Sequence, residues 1–176
     1  MSNTNQGFFE PIVAGIQSLF GKMRPNPERD AERQQHALRR AVTGLLLETA
    51  FTEFDGDVTQ DDSRRDTKMR AAARLITERF GLADTRADAL VRDLSRPENR
   101  YTSYYEPVAL INKLYSAEQK VDLIRQLWRV AFADGEADPY EDHYVRKIAE
   151  LIYVSHTDFI GAKLEVQSAA ADSSPA

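Results

Sequence analysis

The segment VAFADGEADPYED, residues 130–142, decides the fold, because in it one helical pattern of apolar residues ends at a glycine turn and another begins. A related segment, AFTEFDGDVTQDD, occupies residues 50–62. In both segments Asp-Gly follows an apolar stretch, an acid comes directly after the glycine, and another acid lies seven residues beyond the Asp. The repeat predicts helix, acidic turn and helix twice in the chain.

The rest of the sequence also favours helices. Apolar residues recur at spacings of three and four almost throughout, and no run alternates apolar and polar residues as a strand would. Gly81 is placed as the left-handed residue after a helix that ends at Phe80. Capping patterns predict helix starts at Asp84, Ser116, Asp138 and Ser155. We therefore expect an all-α fold, a single domain of seven to eight helices in two related helix-turn-helix halves.

The length of 176 residues, 42% of them hydrophobic, suits one compact domain with tails. Residues 1–27 are predicted to form an N-terminal amphipathic helix and a proline-containing linker. Residues 28–167 are predicted to form the helical domain, and residues 168–176, which are small and polar, a disordered tail.

Composition excludes several function classes. The chain has no cysteine, which rules out disulfides, thiolate metal sites and a cysteine nucleophile. A net charge of -5 argues against nucleic acid as a partner.

The sequence contains no Gly-rich phosphate loop, nucleophile elbow or HExxH motif, so we expect no enzyme. It also shows no membrane-length apolar stretch and no signal peptide, and we expect a cytoplasmic protein.

The two acidic turns resemble half of a calcium-binding EF-hand loop, which places oxygen ligands at positions 1, 3, 5 and 12 around a glycine at position 6. With Gly135 at position 6, Asp134 and Glu141 take positions 5 and 12, but Val130 and Phe132 place no oxygen at positions 1 and 3. Calcium takes about six to eight oxygens, so one turn alone is insufficient. If the fold brings both turns together, enough carboxylates are available: Asp55, Asp57, Asp62, Asp134, Glu136 and Glu141.

The same acids also have a purely structural interpretation. Residues 138–141, Asp-Pro-Tyr-Glu, form a good helix-capping pattern with proline at the first helical position. Thr59 with Asp62 is a weaker version in the first copy. Gly56 and Gly135 would then supply left-handed turns. The sequence leaves both interpretations open.

The stretch LWRVAFADGEADPYEDHYVRKIAELIYVSHTDFIGAK, residues 127–163, resembles the most recognisable part of TerB-type proteins. Residues 45–62 and 74–82 are similar to the first half of that family, so the resemblance covers roughly residues 35–165. It implies an all-helical fold, as in the N-terminal domain of a membrane-anchored DnaJ-type co-chaperone, and an association with resistance to tellurite and other stresses. It also implies divalent-metal binding through Asp55, Asp62, Asp134 and Glu141, with Asp57 and Glu136 as weaker candidates.

This chain departs from the commoner family pattern in its first turn. Phe54 stands where alanine usually precedes Asp-Gly, and Asp62, a shorter carboxylate, stands where glutamate is usual. If the turns bind an ion, we therefore expect the copy with Asp134 and Glu141 to lead.

Together these observations predict a non-catalytic TerB-like stress-response module, for which two interpretations compete. In the first, the acidic turns hold a divalent cation, with Ca²⁺ or Mg²⁺ favoured. In the second, the protein is a protein-interaction or membrane-peripheral adaptor whose acids are helix caps only. A hydrolase that uses the metal is a third interpretation. The expected partners are other proteins of a stress-response system or a second copy of the chain, with peripheral membrane contact through residues 8–20.

Three further features have mainly structural interpretations. We expect Trp128 to lie in the core and Glu48 to be solvated beside it. The tyrosines at positions 101, 104 and 105 are expected to pack under a loop.

Overall fold

The computed structural model describes residues 26–52 and 61–172, with side chains from Ser63 onward in the second range. These residues form seven α-helices and one short 3-10 helix, Pro97–Asn99, and contain no strand. The α-helices are α1 Pro27–Phe51, α2 Asp61–Phe80, α3 Asp84–Leu94, α4 Tyr105–Leu114, α5 Ala117–Ala131, α6 Pro139–Leu151 and α7 His156–Asp172. The prediction of an all-α fold is confirmed.

The chain divides into two compact units, Met1–Gln35 and His36–Ala176. In the first unit the described residues begin helix α1. The Oδ1 atom of Asn26 accepts hydrogen bonds from the backbone N–H groups of Glu28 and Arg29, at 3.1 and 3.3 Å. Pro27 takes the first helical position, where a missing N–H has no cost. The predicted N-terminal amphipathic helix and the first Asp-Gly turn lie outside the described residues.

The second unit has one hydrophobic core to which all seven helices contribute. Trp128 of α5 is fully buried, and its ring lies 5.7 Å from that of Phe132 and 5.6 Å from that of Phe159. The prediction that Trp128 is a core residue is confirmed. One buried residue from each helix illustrates the extent of the core: Leu45, Ile76, Val91, Ile111, Leu127, Ile148 and Phe159.

The tyrosine-rich passage before α4 packs against α1 and α6, with one exception. Tyr104 makes an edge contact with Tyr144 at 5.7 Å, and the Tyr144 hydroxyl donates to the Leu45 carbonyl at 3.1 Å. A Cβ atom on Gly44 would lie 2.5 Å from Cε2 of Tyr101, so only glycine permits this approach. Tyr105, expected to pack as well, is 79% exposed.

Most predicted helix ends are confirmed. Gly81 has a φ of 58° after the last residue of α2. The side chain of Ser116 caps α5 and forms a complete capping box with Gln119. The prediction for α3 was wrong by one residue: Ala83 occupies the cap position without a side-chain hydrogen bond, and Asp84 is already helical. An acid in the first turn is favourable in either position, so the sequence pattern could not separate them.

Helix α7 continues to Asp172, past residue 167, where we expected the helical domain to end. Three consecutive alanines at residues 169–171, all strong helix formers, account for the extension. Among the described residues, no helix combines the length and apolar character needed to cross a membrane.

Candidate functional site at the second acidic turn

Helix α5 ends at Ala131, and the chain then turns through residues 132–138 before α6 begins. The N–H of Gly135 donates to the Phe132 carbonyl at 2.9 Å. Gly135 has a φ of 104°, in the left-handed region that side chains with a Cβ atom rarely adopt. The structure therefore confirms the left-handed turn that the Asp-Gly pattern predicts here.

Helix α6 begins with a complete capping box. The Oδ1 atom of Asp138 accepts hydrogen bonds from the backbone N–H groups of Tyr140 and Glu141, at 2.6 and 2.9 Å. In return, Oε2 of Glu141 accepts from the Asp138 N–H at 3.0 Å. Pro139 is the first helical residue. One oxygen of Glu141 is thus used to cap the helix that carries it.

The other oxygen of Glu141 pairs with a lysine from α2. Lys68 Nζ donates to Glu141 Oε1 at 2.8 Å, and both side chains are fully buried. Lys68 Nζ also lies 3.4 Å from Oδ2 of Asp134, and Arg64 Nε donates to that Oδ2 atom at 2.6 Å. We call Arg64, Lys68, Asp134 and Glu141 the charged cluster. Its two cations and two carboxylates tie α2 to the turn before α6.

Lys68 was not among the residues singled out from the sequence, although a signal for it exists. Lys68, Ala72, Leu75 and Ile76 are spaced as one face of a helix, and all four are buried. A lysine in an apolar helical stripe must find a carboxylate if it is to remain charged when buried. That requirement could have linked α2 to one of the acidic turns.

Burial has a marked effect on Glu141. It raises the pKa of the carboxyl from its ordinary value of 4.5 to about 7, although the hydrogen bonds from Lys68 Nζ and the Asp138 N–H act in the opposite direction. Ionising this carboxyl in the folded protein therefore costs free energy. The hydrogen bonds from Lys68 and from the Asp138 N–H offset part of that cost.

The predicted metal-binding residues are only partly covered by the structure. Asp55 and Asp57 lie outside the described residues, as does the side chain of Asp62. Asp134 and Glu141 do come together, on the same lysine, whereas Glu136 is exposed. In the described ranges, no group of three or more histidine, aspartate and glutamate side chains is arranged to hold a metal ion.

The charged cluster as it stands is a poor fit for a divalent cation. A shared ion would have to contact Asp134 and Glu141, but the Lys68 ammonium already contacts both and would repel it. One atom of the cluster is still available to a ligand. Oδ1 of Asp134 is buried and accepts no hydrogen bond from the described part of the chain. A buried acceptor without a donor is costly and suggests a ligand or a water.

Glu48, expected to be solvated, is instead half-buried and paired. Arg100 Nη2 lies 3.0 Å from both of its carboxylate oxygens. The Arg100 guanidinium also lies over the Phe51 ring, 4.4 Å from its centroid. Glu48 therefore joins the end of α1 to the loop before α4 and does not belong to the charged cluster.

The fold and site define an all-helical protein with an Asp-Gly turn between two helices. The negative charge of the turn's Asp134 is neutralised by Arg64 and Lys68 from another helix. Residues 39–164 match the family described as Tellurite resistance protein TerB, which is more than half of the chain. The chain belongs to the TerB family. No curated protein and no solved structure gave a match.

Proposed function

We propose that the protein is a non-catalytic module of tellurite resistance that acts by binding other proteins. Membership of the TerB family supports the association with tellurite resistance. The observation that carries the non-catalytic part is the buried Lys68–Glu141 pair, because it holds Glu141, an acid of the TerB-like turn, inside the protein.

The geometry of Glu141 explains why we assign it a structural task. One of its oxygens caps α6, the other pairs with Lys68, and the side chain is fully buried. A group in this position cannot reach a substrate or partner unless the cluster opens. The cluster therefore supports a rigid scaffold that leaves the outer helix faces for partners.

The test uses a pair of substitutions that removes both charges and keeps the shapes similar, Lys68→Met with Glu141→Gln. Cells lacking the chromosomal copy would carry either the wild-type or the double variant and be challenged with tellurite. If the acids are structural, the folded double variant protects as well as the wild type. A double variant that is folded by circular dichroism but gives no protection overturns the proposal.

The second candidate function is divalent-cation binding, with Ca²⁺ or Mg²⁺ favoured. Oδ1 of Asp134, which accepts no hydrogen bond from the described residues, supports it. Asp134 and Glu141 would supply ligands from the described part, and Asp55 and Asp62 are the proposed contributors from the first turn. Because Lys68 contacts both described carboxylates, this candidate requires the ammonium to move away.

That requirement gives a direct test. A ligand that binds only the folded protein raises the melting temperature. If the turns bind a cation, millimolar Ca²⁺ or Mg²⁺ should raise the melting temperature of metal-free Lys68→Met more than that of the wild type. Glu141→Gln should reduce the response. No rise in the wild type or in Lys68→Met excludes the candidate.

A further inference from the structure

A groove of about 470 Å³ lies between helices α2 and α5, on the side of α2 that carries Thr67. The apolar residues that line it, which we call its floor, are Ala71, Leu75 and Ala133. Leu75 is 6% exposed, so it contributes a small apolar surface to the groove. Small side chains around one leucine leave room for apolar side chains of another molecule.

The charged residues that line the groove, which we call its rim, are mostly positive. Arg70 and Arg74 lie one turn apart on the same face of α2, and Arg129 stands on α5. Among the described residues that line it, Glu78 is the only acid. Three guanidiniums against one carboxylate make this groove locally cationic on a chain whose net charge is -5.

These arginines are poorly compensated within the protein. Among the described residues, Arg74 and Arg129 have no salt bridge, in contrast to Arg79 and Arg125, which pair with Asp122 and Glu165. Arg70 Nη2 lies 4.0 Å from Oδ2 of Asp66, and both side chains are well exposed. An exposed pair of this kind contributes little stability.

We propose that this groove binds an acidic amphipathic helix of another protein. Carboxylates four residues apart on such a helix have the spacing of Arg70 and Arg74, and guanidinium groups bind carboxylates in a bidentate manner. Its apolar side chains would contact Leu75 and the two alanines. A single small anion would leave that apolar floor unused. This inference rests on the proposed function and names the chemistry of the partner.

The test measures binding of the full chain to a fluorescent helical peptide of glutamate and leucine, with the glutamates four residues apart. Three control peptides differ only in composition: one has lysine for glutamate, one has serine for leucine, and one has both changes. Fluorescence anisotropy should show saturable binding of the acidic amphipathic peptide and of none of the three controls. Added salt should weaken that binding. Equal binding of the serine peptide would show that charge alone is recognised and would overturn the proposal.

Charge-reversal variants locate the site. Arg74→Glu with Arg129→Glu should weaken binding of the acidic peptide by on the order of tenfold or more, because each rim pair becomes repulsive. The matched control is Arg86→Glu with Arg92→Glu, which makes the same charge change at exposed positions on α3. An equal loss in the control variant would contradict a site in the groove.

The two proposals can fail separately. If the wild-type chain does not bind the acidic peptide but the Lys68→Met, Glu141→Gln variant still protects cells from tellurite, the groove proposal is wrong and the proposed function stands. If that variant is folded and gives no protection, the proposed function is wrong, whether or not the wild-type chain binds the acidic peptide.

Discussion

At the scale of single residues, the Lys68–Glu141 pair is the interaction whose loss should matter most. Removing one partner of a buried ion pair leaves an uncompensated charge and costs about 3–5 kcal/mol. Lys68→Met should therefore lower the free energy of unfolding by up to about that amount above pH 7, where Glu141 is ionised in the wild type. Adding Glu141→Gln should cost less than the sum of the two single changes, because the second change removes the stranded charge.

Urea unfolding followed by Trp128 fluorescence measures these free energies. Arg70→Met is the control, since it replaces a basic residue by methionine at an exposed site on the same helix. Its effect should stay within about 0.5 kcal/mol. Additive single and double changes would show that the pair does not interact as the 2.8 Å distance implies.

The raised pKa of Glu141 predicts a dependence of stability on pH. The folded chain retains this proton up to about pH 7, whereas the unfolded chain releases it near pH 4.5. Between these values the folded state binds more protons, so the contribution of Glu141 to the free energy of unfolding falls as pH rises. The slope from one group is at most about 1.4 kcal/mol per pH unit.

Glu141→Gln removes the titrating proton and should reduce that slope. Unfolding free energies of the wild type and the variant, measured by urea denaturation between pH 4.5 and pH 7, give the comparison directly. Because glutamine resembles the protonated carboxyl, the two curves should lie closest near pH 4.5 and separate toward pH 7 if Glu141 is the source. Parallel curves would place the pH dependence in other groups.

The sequence anticipated only part of this site. The Asp138 and Glu141 spacing predicted the capping box, because capping depends on residues close in the chain. The pairing of Glu141 with Lys68 joins residues 73 positions apart, and the turn alone contained no information about which helix would supply the cation.

At the scale of elements, the conformation of Gly135 sets the connection between α5 and α6. Its φ of 104° is strained for any residue with a Cβ atom, even though a Cβ there would meet no atom within 4 Å. Gly135→Ala should therefore lower the free energy of unfolding by about 1–2 kcal/mol through backbone strain alone.

Gly161→Ala is the matched control for this prediction. Gly161 lies inside α7, is exposed, and also has open space around a Cβ. Alanine there should raise the free energy of unfolding by about 0.5–1 kcal/mol, because alanine favours a helix more than glycine does. Urea denaturation of the two variants should give opposite signs, and a loss at both positions would contradict the conformational argument.

At the scale of the whole molecule, local periodicity predicted the all-α class and most helix ends. It could not predict how the helices pack, since that depends on contacts between distant residues. The contact of the Tyr101 ring with Gly44 and the Glu48–Arg100 pair are examples, and both join α1 to the loop before α4. Glu48, which the sequence placed wrongly, has its partner in another part of the chain.

The core of the second unit predicts that its two helix-turn-helix halves unfold together. Leu45 in α1 is buried in the same cluster as Trp128 in α5, and its carbonyl accepts the Tyr144 hydroxyl of α6. Trp128 is the only tryptophan, so its fluorescence reports the second half, whereas circular dichroism reports all helices. The two signals should change at the same urea concentration in the wild type.

A substitution in the first half should then be detected in the second. Leu45→Ala should lower the free energy of unfolding by about 2–5 kcal/mol and move the Trp128 and dichroism transitions equally. Leu164→Ala makes the same change at a position that is 56% exposed and should move neither transition by much. If Leu45→Ala shifted the dichroism transition and left the Trp128 transition unchanged, the two halves would unfold independently. The charged cluster would then join two domains and would not stabilise a single one.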